Sequence, residues 1–159
     1  GINISPDLEQ KKGILRNAVS AMQRYGVEKP KVAVLAAVET INPKMPETVD
    51  GNDLKEMAKN GEFGDCYVEG PISFDLALDK EAAAVKQFDS PVAGDADILL
   101  VPSVVTGNIM AKALKTFAGL KSVAIALGAA VPIVVTSRAT SADSKYRSII
   151  AAAGIVRGA

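Results

Sequence analysis

Four stretches of strand length are almost continuously apolar: KVAVLAAV (31–38), ADILLVPS (96–103), SVAIAL (122–127) and VPIVVTS (131–137). A strand that meets water on one side alternates apolar and polar residues, whereas runs like these are buried on both faces. A shorter fifth candidate is CYVEGP (66–71). Segments of helical character stand between them. SPDLEQKKGILRNAVSAMQRYGV predicts a helix from about 6 to 25, with Ser5 as cap, Pro6 at the first helical position, Ile14, Val19 and Met22 on its apolar stripe and Gly26 as its stop. DGNDLKEMAKNG predicts a second helix closing near Gly61, and SFDLALDKEAAAVKQF (73–88) a third, broken near Asp79. IMAKALKTFAG predicts a fourth, and a last runs from about Ser141 to Ala153.

This alternation describes an α/β fold: a mainly parallel sheet with helices on both faces. The pair 122–127 and 131–137 is the exception, since too few residues separate the two for a helical crossover. They form a hairpin or diverge into different parts of the molecule. The 159 residues suffice for one sizeable core. With 4% aromatic residues and no Trp, that core is built from Ala, Val, Ile and Leu.

Charge removes several classes of function. Eighteen basic and 18 acidic residues cancel, so no net field draws the chain to nucleic acid or an anionic membrane. The apolar runs fall short of the ~20 residues a membrane-spanning helix needs, and the N-terminus lacks a signal pattern. The expectation is a cytoplasmic protein, which the lone Cys66 fits. The absence of His excludes a His-based triad, and with a single Cys it excludes an ordinary Cys/His zinc site within the chain. Proton transfer falls to a carboxylate, Lys or Tyr. The chain opens on Gly1 rather than Met and reads as the middle of a longer sequence.

The polar clusters lie just past the C-terminal ends of the expected strands, where open parallel sheets place ligands. They are Glu39, Thr40, Asn42 and Lys44; Glu69 to Pro71 with Ser73 and Asp75; Ser103, Thr106, Gly107 and Asn108 with Lys112; and TSRATSADSK (136–145). In the third, a loop through Thr106, Gly107 and Asn108 offers close backbone approach and a helix N-terminus to an anion; equally, Thr106 or Asn108 serves as a helix cap. In the fourth, Ser137 offers a hydroxyl, Arg138 a guanidinium fork suited to phosphate, and Asp143 a carboxylate base; equally, Ser141 and Asp143 are ordinary first-turn residues. The residues alone describe an α/β domain that binds an anionic ligand at its strand ends.

Four motifs together resemble one family. KVAVLAAVETINPKMPETVD, VEGPISFDLAL, GDADILLVPSVVTGNIMAKAL and GAAVPIVVTSRATSADSKYRSI are similar, in order and spacing, to stretches of the phosphate acetyl/butyryltransferases, most of all the butyryl branch. The resemblance implies transfer of an acyl group between coenzyme A and inorganic phosphate, with no metal site, no bound cofactor and coenzyme A as substrate. It implies a fold like that of the isocitrate/isopropylmalate dehydrogenases, with residues 1–130 as the second α/β domain and 131–159 as a segment returning to the first. The remainder of that first domain would be a missing N-terminal half, and the enzyme a homodimer. Arg138 is implied to hold phosphate oxygens and Ser137 to stabilise the transition state. The acetyltransferase branch places an aspartate base at an offset that falls on Ser144, which leaves Asp143, one residue before, as the candidate. Gly107, Asn108, Lys112, Thr136 and Glu39 are implied to line the substrate cleft. Two rivals stand beside this: a metal- and nicotinamide-dependent decarboxylating dehydrogenase, for which DGNDL (50–54) and GDAD (94–97) imitate an Mg²⁺ cluster, and a non-catalytic dimerisation module.

Overall fold

A computed structural model describes residues 3–138 and 140–158; Gly1 and Ile2, on which the chain opens, Ala139 within the TSRAT stretch, and Ala159 lie outside the described residues. The elements are α1 (Leu8–Arg24), β1 (Lys31–Leu35), α2 (Pro46–Lys59), β2 (Tyr67–Ile72), α3 (Phe74–Leu78), α4 (Lys80–Val85), β3 (Ile98–Leu100), α5 (Val104–Phe117), β4 (Ile125–Ala126), β5 (Ile133–Val134) and α6 (Ala142–Arg157).

The α/β expectation holds for the first two thirds of the chain. β1 is the middle strand of a three-stranded parallel sheet of order β2-β1-β3. Its residues are buried on both faces, with a period of two. Val32 and Val34 join Leu15 and Val19 of α1, Leu54 of α2, and Phe63. Ala33 and Leu35 join Ile72, Leu76 and Ala77 of α3, Ala83 of α4, and Val92 on the opposite side. One helical layer is thus α1 and α2; the other is α3 and α4, with α5 approaching through Met110. α2 lies unusually close to β2 because two glycines meet there. A Cβ on Gly70 would stand 2.8 Å from the Val34 Cβ and 2.9 Å from the Gly51 carbonyl oxygen.

Several boundaries differ from expectation, each for a local reason. α1 is capped by Asp7, not Ser5, and Pro6 precedes the helix: the Asp7 carboxylate accepts from the Gln10 N–H at 2.8 Å while the Gln10 side chain accepts from the Asp7 N–H, a reciprocal box. α2 starts at Pro46, earlier than DGNDL suggested, because proline fits the first helical position and the buried Thr48 hydroxyl donates back to the Met45 carbonyl. The break at Asp79 is real, and its carboxylate caps α4 by accepting from the Glu81 and Ala82 N–H groups. α5 begins at Val104 under a Ser103 cap, so Thr106, Gly107 and Asn108 belong to the start of the helix rather than to a loop. α6 extends to Arg157, beyond Ala153.

The close pair takes the hairpin alternative. β4 and β5 pair antiparallel, Ile125 with Val134 and Ala126 with Ile133, as a separate two-stranded sheet rather than as further strands of the parallel one. Its turn lies on α1, where Gly128 stands against the Asn17 side chain. α6 packs back on α1 as well, with the Tyr25 hydroxyl donating to the Ala151 carbonyl. No helix among the described residues is long and apolar enough to cross a membrane.

Candidate active site

The C-terminal edge of the parallel sheet carries the first polar group. β1 leads into Glu39 and β2 into Ser73, the residue on which α3 begins. The Ser73 hydroxyl donates to the Glu39 carboxylate, and the Lys86 ammonium stands 3.6 Å from Glu39 and 3.0 Å from Asp75. The Ser73 hydroxyl and then the Lys86 ammonium hold the Asp75 carboxyl down at about 2. Glu39, expected to bind substrate, therefore already has two protein partners. Lys86 was not singled out from the sequence, because its partners lie 47 and 11 residues away and no local spacing announces them.

α5 carries the second group. Gly107 is placed for packing: a Cβ there would stand 3.0 Å from Val101 Cγ2, so the missing side chain lets the start of α5 close on the end of β3. The Gly107 N–H donates to the Ser103 carbonyl at 3.1 Å, the first turn of the helix. Asn108 and Lys112, four residues apart and both exposed, share one face of α5.

The third group follows β5. Thr136, Ser137 and Arg138 are exposed, and the Thr140 N–H donates to the Ser137 carbonyl at 3.0 Å, turning the chain toward α6. Ser141 caps α6, its Oγ accepting from the Ser144 N–H at 3.2 Å. Asp143 sits in the first turn, where the helix dipole favours a carboxylate. Its side chain accepts from Arg147 Nε at 2.7 Å, an i,i+4 pair that the sequence spacing could have revealed. Arg147, with Lys121 nearby, holds the Asp143 carboxyl below the ordinary carboxylate range. A cavity of about 770 Å³ opens beside it, lined by Lys121, Asp143, Tyr146, Arg147 and Tyr25 among others.

Asp143 is thus ionised at neutral pH and engaged by a cation, which makes it a weak proton acceptor. Replacing Arg147 by Gln is expected to raise the Asp143 midpoint toward the ordinary value of about 3.9, read by carboxyl-carbon NMR titration. The sign follows from the lowered value: the contact with Arg147 is intact above the ordinary carboxylate range and is lost as the pH falls through the Asp143 midpoint. An unmoved midpoint would show that Arg147 is not its cause.

The expected residues therefore sit on three parts of the fold: Glu39 at the sheet edge, Gly107, Asn108 and Lys112 on α5, and Thr136, Ser137, Arg138 and Asp143 around the start of α6. Among the described residues no three His, Cys, Asp or Glu side chains converge to hold a metal ion.

Comparison with known proteins gives this arrangement a relationship. The sequence pattern described as phosphate acetyl/butaryl transferase matches residues 1–153. The chain is 48% identical over 148 residues to the probable phosphate butyryltransferase of Bacillus subtilis, covering 93% of this chain and 50% of that protein. It is 45% identical to the phosphate acetyltransferase of Thermotoga maritima over 94% of this chain and 51% of that one. Among solved structures, the branched-chain phosphotransacylase of Enterococcus faecalis superimposes with a TM-score of 0.91 at 38% identity, over 98% of this chain and 56% of that one. The chain spans about half the length of the curated relatives it matches. With one family's pattern running from Gly1 through all four motifs into α6, the chain belongs to the phosphate acetyl/butaryl transferase family.

Proposed function

We propose that the chain contributes one wall of an active site that converts acyl-CoA and phosphate into acyl phosphate and CoA, with a short acyl chain of about butyryl size. The observation that carries the reading is the match to phosphate butyryl- and acetyltransferases across nearly the whole chain. The exposed Thr136–Arg138 segment at the start of α6 supports it.

In the direction of thioester synthesis, the CoA sulfur attacks the acyl carbonyl, the C–S bond forms, the C–O bond to phosphate breaks, and phosphate leaves with the electron pair. Arg138 holds the phosphate oxygens through its fork, and Ser137 donates to the oxygen on which charge develops. The thiol proton goes to Asp143. A thiol of pKa about 8.5 gives its proton uphill to a carboxylate below about 3.9, so the transfer is concerted with C–S bond formation rather than preceding it. Asn108, Lys112 and Glu39 border the substrate cleft, and no bound cofactor enters the scheme.

The opposite wall belongs to the remainder of a two-domain chain of the dehydrogenase-like arrangement, with 1–130 as the second domain and 131–159 as the segment that leaves it through the β4–β5 hairpin to complete the first. Two exposed apolar faces support this. Ile133 of β5 and its flanking neighbours Val131 and Val135 are exposed at alternate positions, while Tyr146, Ile149, Ile150 and Val156 form a helical stripe on α6. Away from the sheet edge, Phe117 at the end of α5 and Leu120 beyond it are also exposed, which supports burial against a second copy in a cytoplasmic homodimer.

Titration of the 159-residue chain with CoA plus phosphate is expected to shift the amide signals of residues 136–138 and 106–108, NAD to shift neither, and acyl transfer by the chain alone to be absent. A response to NAD instead, or turnover by the isolated chain, would overturn the reading.

A further inference from the structure

The strand order places β1 between β2 and β3, so the connections leaving β1 and β3 turn to opposite faces of the sheet: β1 toward α2 and β3 toward α5. Such a divergence opens a crevice at the carboxyl ends of the two strands, where doubly wound sheets hold ligands. A cavity of about 530 Å³ lies there, within the range of small-molecule sites. Leu35 and Ala37 line it from the end of β1, Pro102 from the end of β3, and Val105, Ile109 and Met110 from α5. The remaining lining is apolar too, apart from Glu47 and the Thr106 hydroxyl.

We infer that this crevice receives the aliphatic chain of the acyl thioester and sets the preferred chain length. The inference rests on the transferase reading and assigns part of its substrate. An apolar floor rewards methylene burial, and the Glu47 carboxylate repels phosphate, so the portion of substrate that enters is uncharged. The Thr106 hydroxyl, 3.2 Å from Ser103 Oγ, is placed to donate to a carbonyl at the mouth. The start of α5 then joins two features: Asn108 and Lys112 on its exposed face and the acyl crevice beneath Ile109.

The test uses the 159-residue chain with labelled Ala, Ile, Leu, Val and Met methyl groups, titrated with the N-acetylcysteamine thioesters of butyrate and acetate. These carry no nucleotide and no phosphate, so they report on the acyl chain alone. The butyryl thioester is expected to shift the methyl signals of Leu35, Ala37, Ile109 and Met110 at about tenfold lower concentration than the acetyl thioester, as two further buried methylenes require. Ile109→Trp, which fills the mouth from an exposed position, abolishes these shifts while leaving the signals of Leu15 and Leu54 unchanged. Equal response to both thioesters, no response at saturation, or shifts confined to Ile149 and Ile150 on α6 would overturn the assignment. So would movement of the crevice methyls on dilution without thioester, which would identify a second copy as the occupant. If CoA with phosphate shifts residues 136–138 while the thioesters leave the crevice untouched, this inference fails and the transferase reading stands. The reverse pattern removes the transferase reading and leaves an apolar-ligand site.

Discussion

Replacing Leu54 by Ala is expected to cost about 2–5 kcal/mol of folding stability. Leu54 is fully buried on α2, in the cluster that joins Leu15 and Val19 of α1 to Val32 and Val34 of β1 and to Phe63. Its neighbours cannot close on the space left behind, because the position of α2 is already fixed by the approach of Gly51 to Gly70 and Pro71. Removal of the side chain therefore leaves a void, whose cost adds to the lost transfer of the side chain from water. With a urea m-value of about 1–3 kcal/mol/M, a loss of about 3 kcal/mol lowers the midpoint by about 1–3 M at constant m. Val85→Ala is the internal contrast: Val85 is 77% exposed at the end of α4, and its truncation is expected to change stability by no more than about 0.5 kcal/mol. A Leu54→Ala loss below about 1 kcal/mol would show that α2 relaxes into the space.

The parallel sheet was legible because the seven residues after Lys31 in KVAVLAAV include no polar one with which to face water, and the structure buries Val32 to Leu35 from both sides. The break at Asp79 was legible for a similar reason, since an aspartate with two free N–H groups ahead of it caps a new helix. Cap positions were harder. Ser5 with Pro6 and Asp7 with Gln10 are both competent starts, and the choice falls to the reciprocal bonds that only Asp7 and Gln10 form. The Thr106–Asn108 segment looked like a loop because glycine and asparagine interrupt a run; the Ser103 cap and the fit of Gly107 against Val101 carry it into α5 instead. For the candidate site, sequence located the residue types but not their partners. The Asp143–Arg147 pair follows a helical spacing, whereas the Glu39–Ser73–Lys86 group exists only once β1, α3 and α4 are brought together. The acyl crevice could not have been read from the sequence, because its walls come from β1, β3 and α5 and depend on the direction in which two connections leave the sheet.

Lys11→Met is expected to destabilise the fold by about 2–3 kcal/mol although it keeps the length and apolar stem of the side chain. Lys11 is only 7% exposed and pairs with Asp50, itself 21% exposed, across the contact between α1 and α2. Breaking a buried ion pair costs about 3–5 kcal/mol because one charge is stranded, and the water that still reaches Asp50 reduces that figure. The size of the loss therefore measures the stranded carboxylate rather than the value of the attraction. A second substitution separates the two. In Lys11→Met combined with Asp50→Leu no charge is left behind, and two well-packed apolar side chains across α1 and α2 are expected to return stability to within about 1 kcal/mol of the parent. Asp50→Leu alone strands the buried Lys11 ammonium and is expected to destabilise as well, so a recovery of about 2 kcal/mol in the double variant shows coupling, because independent sites add to within about 0.3–0.5 kcal/mol. If the double variant is as unstable as the single one, the pair itself holds α1 on α2. If Lys11→Met costs nothing, Asp50 is already hydrated and the contact between these helices is carried by the Leu15, Val19 and Leu54 cluster alone.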